Sequence, residues 1–305
     1  MKRVHADSAR ARGWSGWIED GLVLVRPRIS LFVLFAAFTG ALLGAGPDAE
    51  LARVGLAALL VGLVGASSSV FNQVLERDTD RLMPRTANRP LACERLGVRE
   101  AVLFGALLGV AGVLGLALLF QPLSALLALS TLAVYVLVYT PLKRWTSLNT
   151  VVGALPGAMP PLLGFVALAG RPGPWGWLLF AIVFAWQFPH FFAIAWIYRD
   201  EYRRAGMKML PSLPGARGLA GRQALAYSLL LLPVSLLPGV RGDAGIVYTA
   251  AALVLGCFYA AASAAFAWRE SRASARTLLL ASLVYLPLVF SAVLFDPVVS
   301  RALRN

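Results

Sequence analysis

Asn72, Glu76 and Asp80 stand four residues apart at the end of an apolar run that starts at Leu51 and carries one charge, Arg53, before Phe71. On a helix each residue turns about 100°, so the three fall within an arc of about 80°. Asp78 then points to the other side. A carboxamide and two carboxylates on one face are donors for a hard divalent cation such as Mg2+. Arg77, Arg81, Arg85 and Arg89, also four apart, suit a polyanion beside that metal. The plainer reading is a charged loop after a membrane helix. Asn72 weighs against it: the carboxamide lies inside the apolar run, and polar groups at membrane depth default to function.

A second cluster, Tyr198-Arg199-Asp200-Glu201-Tyr202-Arg203-Arg204, follows another apolar run. Tyr139 and Lys143, with Arg144 next, close a third, where Pro141 should loosen the helix. On their own these are an aromatic-belt tyrosine and snorkelling cations. At the mouth of a shared bundle, a phenol and an ammonium would instead hold a leaving diphosphate. His190 lies in Trp186-Gln187-Phe188-Pro189-His190-Phe191. It reads either as a hydrogen-bonded core residue or as a haem ligand or base near an aromatic acceptor. Acidic clusters flanked by Arg and Lys, opening onto an apolar interior, suit an amphiphile with an anionic head and a greasy tail. Mg2+ bridges carboxylates to phosphates in such sites, and a diphosphate leaving an allylic chain needs that neutralisation.

These groups must be positioned by membrane helices. The chain has 305 residues, of which 59% are hydrophobic and 14% charged, with a mean hydropathy of +0.72. Soluble domains carry about 25% charged residues. Apolar runs long enough to span a bilayer cover residues 29–46, 51–74, 98–120, 123–140, 150–169, 175–197, 224–240, 244–268 and 277–295. The expected fold is an all-α integral membrane protein with nine transmembrane helices in one bundle. Residues 1–28 form a tail, 29–296 the membrane domain and 297–305 a short C-terminal tail. The tail's acids, Asp7, Glu19 and Asp20, fit neither a secretory signal nor a transit peptide; Trp14, Trp17 and Ile18 suit an interfacial helix.

Of the 28 Lys and Arg, only Arg53, Arg171, Arg241, Arg301 and Arg304 fall on the side opposite the N-terminus. By the positive-inside rule the N-terminus is cytoplasmic, the C-terminus outside, and both long polar loops cytoplasmic. The net charge of +13 is thus membrane topology, not nucleic-acid binding. Cys93 and Cys257 have neither disulfide nor metal spacing. Gly153, Pro156, Gly157, Pro160, Pro161 and Gly164 point to close helix packing. A cation-coupled transporter would want its acids near the bilayer midplane, whereas these sit at helix ends.

The stretch Asn72…Glu76-Arg77-Asp78-Thr79-Asp80-Arg81-Leu82-Met83-Pro84-Arg85-Thr86…Asn88-Arg89-Pro90 resembles the first signature of the UbiA-type intramembrane prenyltransferases, and within them the branch that farnesylates protohaem. Arg26-Pro27-Arg28-Ile29, Tyr139-Thr140-Pro141-Leu142-Lys143-Arg144, residues 153–162 and Trp186–Pro211 agree in the same order. The resemblance implies nine helices around a central cavity opening to the cytoplasmic side. It also implies Mg2+-dependent farnesyl transfer from farnesyl diphosphate to a vinyl group of haem b, giving haem O. A quinone precursor or chlorophyllide is the alternative acceptor. Asn72, Glu76 and Asp80 match the first metal–diphosphate motif, and Asp200 and Glu201 the second. Arg77, Arg81, Arg85, Arg89, Tyr139, Lys143, Arg144, Tyr198, Arg199 and Tyr202 then line the substrate, and His190 becomes a haem contact. The implied setting is the bacterial inner membrane, with haem A synthase or a terminal oxidase as partners. Gln73, Glu76, Tyr198 and Tyr202 stand where the wider superfamily carries aspartates.

Overall fold

The computed structural model describes residues 14–46 and 50–302; Asp7 and Arg304, used in the reading above, lie outside them. Among the described residues all regular structure is helical, and nine helices are long and apolar enough to cross a membrane. Trp14–Val25 (α1) leads into Pro27–Gly44 (α2), Leu51–Asp80 (α3), Val98–Leu119 (α4) and Pro122–Leu142 (α5). Asn149–Ala169 (α6) and Pro174–Ile197 (α7) follow, then the short Arg199–Arg204 (α8). Leu219–Arg241 (α9), Ile246–Trp268 (α10), Arg272–Phe295 (α11) and Pro297–Ala302 (α12) complete the chain.

Local chemistry sets several starts. Pro27, Pro122 and Pro174 open α2, α5 and α7, where a missing N–H costs nothing and φ is already helical. Ser271 and Ser274 form a reciprocal capping box for α11. Glu270 accepts hydrogen bonds from Gly218 N (3.0 Å) and Gly221 N (2.8 Å), which starts α9 at Leu219. Both helices therefore begin five residues earlier than the apolar runs alone indicate. α5 departs from α-geometry over Val134–Tyr139, which is π-helical. Pro141 lacks a backbone N–H, and Thr140 Oγ donates to Tyr135 O at 2.9 Å, so the ladder loosens where expected.

Two apolar cores hold the bundle. α7, α9, α10 and α11 bury Leu179, Ile182, Phe188, Tyr259 and Phe290; α2, α3 and α6 bury Ala37, Val61 and Leu163, joined by Leu116 of α4 and Ala128 of α5. Side chains such as Leu107, Leu118, Leu137 and Trp268 stay exposed; a belt of this size suits lipid. α2 and α6 touch backbone to backbone. A Cβ at Gly40 would overlap the Pro161 carbonyl, and one at Gly164 the Ala37 carbonyl. The small residues of 150–169 thus serve close packing. α1 exposes Trp17, Ile18, Leu22 and Val23 but buries Asp20 and Leu24. Leu24 packs with Val70, Leu91 and Leu96, and Arg95 bonds Asp20 at 3.0 Å. The amphipathic α1 is so fastened over the end of α3.

Candidate active site

α3 runs to Asp80, six residues past the apolar segment read from sequence. Its last two turns bury Asn72, Glu76 and Asp80 and leave the Asp78 side chain 67% exposed. The shared face is as the spacing predicts, and each group on it has a cation. Lys143 Nζ lies 2.8 Å from Glu76 Oε1, with both side chains nearly buried. Arg89 Nη1 donates to both Asp80 carboxylate oxygens, at 2.7 and 2.9 Å. Asn72 Oδ1 accepts from Arg26 Nη2 at 3.0 Å, while its amide donates to Thr140 Oγ at 3.3 Å. Lys143 also sits 4.4 Å over the Tyr139 ring, a cation–π contact. Tyr139 in turn lies against Gly153, where a Cβ would strike the ring.

Arg26 is the site residue that motif reading missed. It has φ 51°, a left-handed conformation rare outside glycine, directly before the proline that opens α2. Its Nε is buried without a partner among the described residues. The legible signal was an arginine fixed against Pro27; its reach to Asn72, 46 residues on, was not. Strain of this kind, about 1–3 kcal/mol, persists where the surroundings over-determine it.

The charges around the clamp are unequal. Two carboxylates, Glu76 and Asp80, share the neighbourhood with Arg26, Arg89 and Lys143. Burial opposes the Lys143 charge, but the Glu76 carboxylate outweighs it and raises the ammonium above the ordinary lysine value. Burial first, and Arg26 second, pull Arg89 downward. A buried site with surplus cations is made for a polyanion.

The arginine ladder does not form one row, because the helix ends at Asp80 and the chain turns. Arg89 alone of the four meets Asp80. Arg77 pairs with Asp78 at 3.5 Å. Arg81 turns to Ala92 O at 2.8 Å and Glu94 at 2.7 Å. Arg85 crosses to the second loop, 4.5 Å over Tyr198 and 3.2 Å from the Tyr202 hydroxyl. Arg144 lies 3.5 Å from Leu75 O. In the second cluster Arg199 stacks on Trp196 at 4.0 Å. Asp200 is 60% exposed and pairs loosely with Arg199 and Arg203, at 3.9 and 3.6 Å. Glu201 buries Oε2 without a hydrogen-bond partner among the described residues. The two loops join through Met83, Ala205 and Met207, and Lys208 N, donating to Lys143 O at 2.8 Å, ties the second loop to the end of α5.

Among the described residues no three His, Cys, Asp or Glu side chains stand close enough to hold a metal by themselves. Five protein ligands on one ion are therefore not what the fold assembles. The donors still fit Mg2+, which in diphosphate sites takes one or two carboxylates and completes its shell from phosphate and water. The orphaned Glu201 oxygen is a further group that a cation would satisfy.

Nine apolar helices among the described residues, with a buried cation–carboxylate clamp at one end, are the architecture of a multi-pass membrane protein with a charged site. The profile of the UbiA prenyltransferase family matches residues 33–286, and the chain belongs to that family; it is a prenyltransferase. It is similar to protoheme IX farnesyltransferase of Solibacter usitatus, 41% identical over 92% of this chain and 99% of that protein. The protein of the same name from Koribacter versatilis is 38% identical, covering 93% and 95%. In fold it resembles a UbiA homologue from Archaeoglobus fulgidus solved with GPP and Mg2+, with a TM-score of 0.67 at 20% identity over 90% of this chain and 99% of that one.

Proposed function

We propose that this prenyltransferase moves a farnesyl group from farnesyl diphosphate to a vinyl group of haem b, giving haem O, at the cytoplasmic face of a bacterial inner membrane. The observation that carries the reading is the buried clamp, two carboxylates among three cations at the mouth of an apolar bundle. The protoheme IX farnesyltransferases at 41% and 38% identity support the choice of acceptor.

In this reading Arg26, Lys143 and Arg89 bind the diphosphate oxygens, with Tyr139 holding Lys143 in place. Asn72, Glu76 and Asp80 would hold Mg2+, joined from the second loop by Glu201, while the exposed Asp200 stays outside its shell. Bound Mg2+ supplies charge neutralisation on the departing diphosphate. The C1–O bond of the donor breaks and its electron pair leaves with the diphosphate, which the cations receive. The vinyl terminal carbon bonds to the allylic C1; water then adds to the carbon beside the porphyrin and loses a proton, giving the hydroxyethylfarnesyl group. A central cavity within the apolar bundle keeps other water from the allylic cation. His190 contacts the haem.

The test is to incubate the purified protein with haem b, farnesyl diphosphate and Mg2+ and look for haem O by mass. Product that disappears on chelation and returns with Mg2+ is expected. No haem O from protein that still binds the donor would overturn the acceptor, and a parallel quinone-precursor incubation would then identify the alternative.

A further inference from the structure

His190 is half-buried in the middle of α7, and its two ring nitrogens have different surroundings. Nδ1 lies 2.7 Å from Ser282 Oγ on α11. The same Oγ lies 2.5 Å from the Leu279 carbonyl oxygen. Two oxygens so close need a proton between them, and only the serine has one, so its hydroxyl proton goes to the carbonyl. Ser282 Oγ then faces His190 with lone pairs, and Nδ1 must donate. A neutral imidazole has a single N–H. With that proton on Nδ1, Nε2 bears the lone pair, and Nε2 has no hydrogen-bond partner among the described residues.

The ring is also held in plane. Trp186 stacks on it at 5.0 Å and 23°. Trp186 Nε1 donates to Ser282 O at 2.8 Å, and Trp186 O accepts from the Tyr259 hydroxyl at 2.9 Å. Ser282 therefore secures His190 twice, by its side chain directly and by its carbonyl through Trp186. A histidine with one nitrogen donated to an anchoring group and the other free is the arrangement proteins use to present imidazole to a metal.

We infer that Ser282 is a positioning residue that locks His190 in its Nδ1–H form, so that Nε2 offers its lone pair to the iron of the haem substrate. This rests on the proposed haem acceptor. The test titrates ferric haem b into the purified full chain and follows the absorption spectrum for wild type, Ser282→Ala, Ser282→Thr and His190→Ala, with thermal midpoints and binding of an unreactive farnesyl diphosphate analogue alongside.

Wild type should show a histidine-ligated spectrum that His190→Ala removes. Ser282→Ala should weaken haem binding about 10–100-fold and alter the spectrum while analogue binding stays unchanged; Ser282→Thr, which keeps the hydroxyl, should restore both. Ser282→Ala with the wild-type spectrum and affinity, or His190→Ala with the ligation intact, overturns the inference while haem O formation by wild type leaves the acceptor standing. Wild type that neither binds haem nor yields haem O overturns both. Parallel loss of haem and analogue binding in Ser282→Ala marks a merely structural role and also overturns it.

Discussion

The two acidic clusters look alike in sequence, each an acid-and-arginine run behind a membrane helix, yet the fold treats them differently. Glu76 and Asp80 ride on a 30-residue helix whose last turns are enclosed by α1, α5 and the following loop, and each carboxylate meets a cation within 2.8 Å. Asp200 and Glu201 ride on a six-residue helix; Asp200 stays in solvent, and only Glu201 turns an oxygen inward. A long helix carries its side chains into the bundle with fixed direction, whereas one short turn leaves half of them outside. Shared composition therefore does not mean shared work.

The largest effects should fall on the first cluster. Glu76→Gln or Asp80→Asn leaves a buried cation without its partner, a change worth about 3–5 kcal/mol, and in this site it also removes a candidate metal ligand. Removing one group that stabilises charge in the transition state costs about 10²–10³ in rate, so kcat/KM for haem O formation should drop at least about 100-fold. Asp200→Asn should cost less than about threefold, since exposed pairs contribute about 0–1 kcal/mol. Equal losses at Asp80 and Asp200 in steady-state assays would erase the distinction drawn here. Within the second cluster, Glu201→Gln should exceed Asp200→Asn by about tenfold, and its deficit should shrink at high Mg2+. A Glu201 variant indifferent to Mg2+ would remove that residue from the metal's surroundings.

Arg26 sharpens the contrast from the cation side. Arg26→Ala should raise KM for farnesyl diphosphate by about tenfold, as loss of one charge-assisted contact of about 1.5–3 kcal/mol implies. Arg81→Ala, whose guanidinium is spent on Ala92 and Glu94, should leave KM within about twofold. Matching effects from the two would show that the four-residue ladder operates as a unit after all.

What was legible follows from the range of the forces involved. Nine spans could be read because each is a run of side chains that avoid water, a property every residue carries by itself. The face shared by Asn72, Glu76 and Asp80 was also legible, as helical geometry alone dictates it. The length of α3 was not: residues 75–80 extend it, and Lys143 and Arg89 meet Glu76 and Asp80 there from 67 and 9 positions away. The start of α9 likewise depends on Glu270, about fifty residues on. The ladder of arginines failed as a pattern because its periodicity assumed a helix that stops at Asp80. Nothing local distinguished Asp200 from Glu201.

The pairing of Lys143 with Glu76 gives the comparison a pH signature. Lys143 is raised above the ordinary lysine value, near 10.4, by the Glu76 carboxylate despite burial. A group raised on folding contributes stability that is complete below its unfolded value and is lost only as pH climbs through the folded one. The difference in thermal midpoint between wild type and Lys143→Met should therefore stay flat from about pH 6 to 9 and narrow only in stronger alkali. A difference that already declines near pH 8 would mean the ammonium is not held by Glu76.

A small effect is also expected where the two clusters touch. Arg85 leaves the first loop to lie over Tyr198 and donate to the Tyr202 hydroxyl at 3.2 Å. Arg85 is exposed and the two tyrosines are half-buried, and cation–π contacts near the surface contribute about 0.5–1 kcal/mol. Tyr202→Phe keeps the ring and removes only the hydroxyl acceptor, so it should lower kcat/KM no more than about fivefold and leave the thermal midpoint nearly unchanged. Arg85→Ala removes the stacking as well and should do somewhat more. In an Arg85→Ala/Tyr202→Phe double variant the losses should fall short of the sum of the singles, because both act on one contact. Additive losses would show that Arg85 meets the substrate independently, and the two loops would then be neighbours held together through Met83 and Met207 instead of a joined lid.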